Sequence, residues 1–132
     1  MAGTDILKHP IHLGPGANSI VEPAFSGDMD WYQGYAARHA ADGREGRLVS
    51  MFTFTESWSM WEMHHNGSEV VLCTSGALTL HQEAVDGTRR SVSLRPGEYA
   101  INEPGTWHTA DVSGSATAVF ITAGSDTQHR PR

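Results

Sequence analysis

Five side chains able to bind a cation or move a proton fall close together in this chain. Glu62, His64 and His65 lie in Trp61-Glu62-Met63-His64-His65, Glu69 follows a turn at Asn66-Gly67-Ser68, and His108 sits in Gly105-Thr106-Trp107-His108. Neutral imidazole nitrogens and ionised carboxylate oxygens together suit a divalent transition ion such as Fe, Mn, Zn or Ni, and two carboxylates balance its double charge. The same groups also suit a metal-free arrangement in which buried histidines and glutamates hydrogen-bond to one another. Glu62 can serve either reading, as a ligand, as a general base, or as a carboxylate that orients His64.

Those side chains need rigid elements to hold them, and the sequence after Gly46 supplies strands. Segments rich in Val, Thr, Phe, Tyr and Trp recur between turn-forming stretches, the pattern of an all-β sandwich or barrel. Strands are expected near Arg47–Phe54, Ser57–His65, Glu69–Thr74, Ala77–Glu83, Arg90–Leu94, Glu98–Asn102, Trp107–Val112 and Ala116–Thr122, with Asp86-Gly87 the strongest hairpin signal. Side chains two apart on a strand share a face, so Glu62 and His64 go together while Trp61, Met63 and His65 take the other side. If Glu69 starts an antiparallel neighbour, it joins the Glu62/His64 face.

Before Gly46, Pro10, Pro15 and Pro23 with several glycines read as an irregular arm, followed by one short helix with Asp28 as N-cap and Gly43 as its stop. The expected organisation is therefore an arm and helix over residues 1–45 and a barrel over 46–132. A chain of 132 residues is the size of one domain. No apolar run approaches the ~20 residues that span a bilayer. The opening residues lack the character of a secretory signal, and Cys73 is the single cysteine, so a cytoplasmic setting is expected. Net charge is -6 with no cluster of Lys and Arg, which argues against nucleic acid as a partner.

The spacing resembles that of the cupin superfamily, whose two motifs are written G(X)5HXH(X)3-4E(X)6G and G(X)5PXG(X)2H(X)3N. Glu62, His64, Glu69 and Gly76 fall on the first, and Gly97, Gly105 and His108 on the second; the likeness runs from Gly46 to Thr122. It implies a double-stranded β-helix, the jelly-roll barrel, with Glu62, His64, Glu69 and His108 as the metal ligands. Glu56, Glu103 and Val112 depart from the motifs without touching the ligand set, whereas Glu62 stands where a histidine is usual. A register shifted by one residue would use His65 but put Met63, a poor ligand for a hard ion, in the first position. A narrower resemblance, to small single-domain cupins of unsettled activity, rests on Trp61-Glu62-Met63-His64, Pro104-Gly105-Thr106-Trp107-His108 and Gly124 with His129-Arg130-Pro131. It makes a C-terminal tail folded against the barrel an alternative to a loose end.

Cys73 shares parity with Glu69 and Val71, while Tyr99 pairs in parity with Ile101 and Phe120 with Thr122, so Cys73, Tyr99, Ile101 and Phe120 are candidates for a substrate-binding wall or for plain core. His39, His65 and His81 are expected at the surface or rim, and Trp107 faces away from His108. The resemblance implies a metal-dependent enzyme acting on a small organic molecule, with Glu62 as its acid-base group, or else a small-molecule-binding module without catalysis. A metal-free epimerase type fits less well, since cationic groups for a nucleotide-sugar phosphate are sparse. A homodimer is expected, paired through the arm and an outer face carrying Trp61 and Met63.

Overall fold

A computed structural model describes residues 1–123 and 126–132. Gly124, part of the C-terminal resemblance, lies outside the described residues. Among these, the strands are β1 (Ile11–Gly14), β2 (Asn18–Val21), β3 (Arg47–Phe54), β4 (Met60–Met63), β5 (Glu69–Glu83), β6 (Arg89–Leu94), β7 (Tyr99–Asn102), β8 (Trp107–Thr122) and β9 (Gln128–Pro131), and the helix α1 is Met29–Arg38. All strand pairs are antiparallel. The chain is a jelly-roll barrel.

Two long strands carry the architecture. The four segments expected as Glu69–Thr74, Ala77–Glu83, Trp107–Val112 and Ala116–Thr122 are continuous as β5 and β8, which pair along their length with register shifts around Ser75 and Gly76. An extra residue there bends the ladder and exchanges the faces. The inward set of β5 accordingly passes from Glu69, Val71 and Cys73 to Leu78, Leu80 and Gln82. Gly76 takes φ +70, and a Cβ at that point would run into the Ser115 carbonyl oxygen, so only glycine fits. On one side of the bend the order is β2-β1-β3-β8-β5-β7, and on the other β6-β5-β8-β4-β9. The core between them holds Val71, Cys73, Leu78, Leu80, Leu94, Ala100, Ala110, Ala116, Ala118 and Phe120, with Phe52, Phe54 and Trp58 packed against it.

The arm expected to be irregular contains the hairpin β1–β2, which extends the sheet from β3. Helix α1 starts where Asp28 accepts a hydrogen bond from the Trp31 amide at 2.8 Å and buries Trp31 and Tyr35, one turn apart, against Leu48. Phe25 links this cluster to the barrel, with ring centroids 4.7 Å from Trp31 and 5.0 Å from Phe52. Among the described residues no helix is long and apolar enough to cross a membrane.

Candidate metal centre

The pairing registers build the site in two rows. Across one sheet, Arg90, Gln82, His108, Glu62 and His129 stand in line on β6, β5, β8, β4 and β9. On the other, Glu69 at the start of β5 pairs with Asn102 of β7. His64 follows the last residue of β4, and its carbonyl accepts the Gly105 amide at 2.9 Å, which ties the two motif turns together.

Glu69, His64 and His108 are buried and converge between the sheets. Glu69 Oε2 lies 3.2 Å from His64 Nε2, and Oε1 lies 3.0 Å from His108 Nε2. Glu62 is the outer member, with Oε2 3.8 Å from His108 Nε2 and a third of its side chain exposed. Glu62, His64 and His108 bring ligand atoms within 4.8 Å of one another. The C-terminal strand adds His129, whose Nε2 is 3.4 Å from Glu62 Oε1.

Both inward nitrogens, His64 Nε2 and His108 Nε2, are buried without a directed hydrogen-bond partner among the described residues. Their opposite nitrogens are committed: His108 Nδ1 donates to the Thr106 carbonyl at 3.4 Å, and His64 Nδ1 meets Thr127 Oγ1 at 3.0 Å. Such outer contacts fix the tautomer of a metal-binding histidine and aim its other nitrogen. Glu69 is fixed in the same way. Asn102 Nδ2 donates to its Oε1 at 3.0 Å and Thr122 Oγ1 to its Oε2 at 2.7 Å. Gln82 Nε2 donates to Asn102 Oδ1 at 2.7 Å while its Oε1 accepts from Arg90 Nε at 2.6 Å, so a hydrogen-bonded chain runs from a surface guanidinium to the buried carboxylate.

Burial works against the charged form of Glu69, but His108 and then His64 beside it more than offset that and hold its carboxyl well below the usual carboxylate range. Burial likewise opposes protonation of His108, yet Glu69 first and then Glu62 raise its hold on a proton. A field that favours a proton on an imidazole also favours a divalent cation between the same atoms. Two buried imidazole nitrogens, each held from behind by its other ring nitrogen and facing two carboxylates, fit such an ion.

The interior around these ligands is aromatic. Trp58 packs with its ring centroid 6.0 Å from His108, and its buried indole N–H has no partner among the described residues. Tyr32 of α1 stands in the field of the site: its hydroxyl is pushed up to about 12, by burial first and then by Glu62 and Glu69.

No protein-family model matches the chain, and neither does any curated protein sequence. Solved structures do. Peruvianin-I, a cysteine peptidase from Thevetia peruviana latex, superimposes with a TM-score of 0.55 at 21% identity over 64% of this chain and 56% of its own. Oxalate oxidase in complex with the substrate analogue glycolate gives 0.54 at 15% identity, covering 62% of this chain and 45% of its own. Hydroquinone 1,2-dioxygenase from Sphingomonas sp. TTNP3, with 4-hydroxybenzoate bound, gives 0.51 at 16% over 58% of this chain and 60% of its own. The chain has the cupin fold. It spans about half the length of these cupin-fold neighbours, and at such identities the likeness concerns architecture alone.

Within the cupin barrel the Glu62, His64, Glu69 and His108 set comes together, and His65 is exposed on the far side. Cys73 and Phe120 point inward as expected, but their neighbours are core side chains. Tyr99 and Ile101 need correction as wall residues: they lie on the outer face, 64% and 40% exposed. Their strand pairs Asn102 with Glu69 and Ala100 with Val71, so the inward parity of β7 belongs to Ala100 and Asn102. Asn102, Gln82, Thr127 and Tyr32 were not legible as site residues from spacing. Asn102 and Gln82 could have been found from parity once their strands were paired with Glu69 and His108.

His39 is another departure from the surface reading, since its ring stacks on the buried His12 at 3.5 Å. His12, His39 and Asp42 form a second cluster of possible ligands. Both nitrogens of His12 are already engaged, by the Tyr35 hydroxyl at 2.7 Å and by Asp42 at 2.5 Å, and His39 Nε2 is held by Glu22 at 2.9 Å. Rings stacked within 12° cannot both aim an in-plane lone pair at one ion. The cluster is a hydrogen-bonded tie between β1, α1 and the turn after it.

Proposed function

We propose that this chain is a metal-dependent cupin enzyme acting on a small organic molecule, with His64, His108, Glu69 and Glu62 as ligands. The observation that carries the reading is the convergence on Glu69 and Glu62 of two buried Nε2 atoms that make no well-directed hydrogen bond among the described residues. A divalent ion held there would polarise a bound oxygen atom of the substrate or, if iron or manganese, support oxygen chemistry. Glu69 holds fixed negative charge, since both its oxygens already accept hydrogen bonds. Glu62 is the member open to solvent, so it doubles as the acid-base group at the mouth. The unpartnered Trp58 indole N–H offers a donor to a ligand's oxygen. Phe52, Phe54, Trp58 and Phe120 pack together in the interior beside the centre, so a substrate that enters between them must be small. Hydroquinone dioxygenase and oxalate oxidase, with bound hydroxybenzoate and glycolate, suggest small hydroxylated acids and phenols as the first compounds to try.

The filled aromatic interior also favours a second reading, a small-molecule-binding module without turnover. The two separate in one experiment. Metal-reconstituted protein is offered hydroxylated acids and phenols with oxygen present, and binding, oxygen uptake and product are followed for the wild type and Glu62→Gln. Turnover lost in Glu62→Gln with the metal retained supports the enzyme; saturable binding without turnover supports the module.

We read the whole chain as one domain in the cytoplasm, a setting supported by a single, buried, unpaired cysteine. We also propose that it pairs as a homodimer, though not through the face expected from sequence. Arg89 and Arg130 lie over the Trp61 ring, and Met63 is buried. The free apolar surface is on the other sheet, where Val21, Ile11, Val49, Ile121, Val70 and Ile101 form one row across β2, β1, β3, β8, β5 and β7. Met51, Val119, Leu72 and Tyr99 run beside it. A monomeric mass in solution would remove the dimer, and Ile101→Asp should produce that mass if the face is right.

A further inference from the structure

The C-terminal segment touches two of the four proposed ligands. Thr127 Oγ1 lies 3.0 Å from His64 Nδ1, and His129 Nε2 lies 3.4 Å from Glu62 Oε1. The second contact divides the Glu62 carboxylate, with Oε1 toward the tail and Oε2 toward His108. The register explains why one short strand reaches both. β9 pairs with β4 from Met60↔Pro131 to Met63↔Gln128, so His129 falls opposite Glu62 on the same face, and Thr127 falls just past the strand end, where His64 turns inward.

What fastens β9 differs from what fastens the rest of the fold. Arg130 sits over the rings of Trp61 and Trp107, 5.1 and 4.5 Å from their centroids, and bonds Glu83 Oε2 at 2.7 Å. Arg132 reaches Asp111 Oδ1 at 2.7 Å and the Trp58 carbonyl at 2.9 Å. Each of residues 126–132 is exposed or half-buried. The tail is thus a polar strap: charged groups and aromatic faces fasten it, and none of its residues belongs to the hydrophobic core.

We propose that β9 is a clasp of the metal centre: Thr127 and His129 are positioning residues that aim His64 and Glu62, and ion binding and strand docking are coupled. The proposal rests on the metal reading above. It also gives the glutamate at the place of the usual first histidine an imidazole to hold its outer oxygen, His129 on the neighbouring strand β9. Losing such an outer partner costs typically about 10–100-fold in metal affinity. Coupling is reciprocal, so the ion must tighten docking of the strand by the factor that docking tightens the ion.

The test uses the full chain, with Co(II) and Zn(II) as probe ions. Affinity is measured for the wild type, Thr127→Val, His129→Ala, and Arg130→Gln, which touches no ligand. Amide exchange over residues 128–130 is followed with and without the ion. Both ligand-facing variants should bind about 10–100-fold more weakly, and Arg130→Gln should also weaken binding by loosening the strand. His129→Gln and Thr127→Ser, which keep a hydrogen-bonding group, should recover most of the affinity. The ion should slow exchange of the strand in the wild type and have little effect on it in His129→Ala. Thermal midpoints of the metal-free variants close to wild type would show that the core is intact. If the variants bind as tightly as the wild type, the clasp is wrong and the metal centre stands. If the wild type binds neither ion, both fall.

Discussion

Asn102 offers the sharpest test of how the site is held. Its side-chain amide is buried, donates to Glu69 Oε1 at 3.0 Å and accepts from Gln82 at 2.7 Å. Asn102→Leu keeps the volume and removes both functions. A hydrogen bond to a charged group is worth about 1.5–3 kcal/mol, and its loss leaves Glu69 Oε1 with only His108 Nε2, 3.0 Å away, facing it. Gln82 loses less, since its amide keeps the Ile101 carbonyl at 3.0 Å and its oxygen keeps Arg90. The metal-free protein should therefore lose about 2–3 kcal/mol, which for a chain of this size is roughly 6–15 °C in thermal midpoint. The decisive arm is the same change in a Glu69→Gln background. There only a neutral hydrogen bond is at stake, and the cost should fall to about 1 kcal/mol. The assay is thermal unfolding by circular dichroism of metal-free protein. Equal losses in the two backgrounds would refute the claim that Asn102 serves the charge of Glu69.

Other outcomes follow from the same geometry. Glu69 ionises more readily in the fold, so its stabilisation is complete above its ordinary value and disappears as pH falls through the lowered one; His108 holds its proton more tightly, so its share is complete below its ordinary value and disappears as pH rises through the raised one. The two act as a pair, and the thermal midpoint of the metal-free protein should be highest between about pH 4.3 and 6.5; a midpoint still rising from there toward alkaline pH would contradict the pairing. Gly76→Ala combines φ +70 with a clash against backbone and should cost at least about 2 kcal/mol, whereas Gly114→Ala, at φ +80 in open space, should cost only about 1–2 kcal/mol; equal losses would locate the strain elsewhere. Glu62→His restores a neutral nitrogen at the first ligand position and should shift the preference in competition titrations from Mn toward Ni or Zn while binding persists. Complete loss of binding would mean that the carboxylate of Glu62 is indispensable.

The strands and the inward set were legible because alternation and turn residues are local, and because the motif spacing fixes which of two adjacent histidines turns inward. Glu62, His64, Glu69 and His108 follow from parity and spacing, and the paired registers bring them together. The outward turn of Tyr99 and Ile101 was not legible, since a strand of four residues has two possible faces until its partner is known, and here the Glu69–Asn102 pairing decides. The exchange of faces along β5 likewise needs the Gly76 irregularity to be seen in register with β8. The contacts of Thr127 and His129 depend on β9 pairing with β4 across some 65 residues of chain, a long-range choice that no local pattern encodes. The stacked His12 and His39 were invisible for the same reason, being brought together by a hairpin and a helix end.

The central claim, a divalent metal centre on Glu62, His64, Glu69 and His108, meets its most direct test in metal titration of the metal-depleted chain beside His64→Ala, His65→Ala and His108→Ala. One tight site is expected in the wild type, retained in His65→Ala and lost in both other variants. A wild-type chain that takes up no ion, or a His65→Ala variant that loses the site while His64→Ala keeps it, would contradict it.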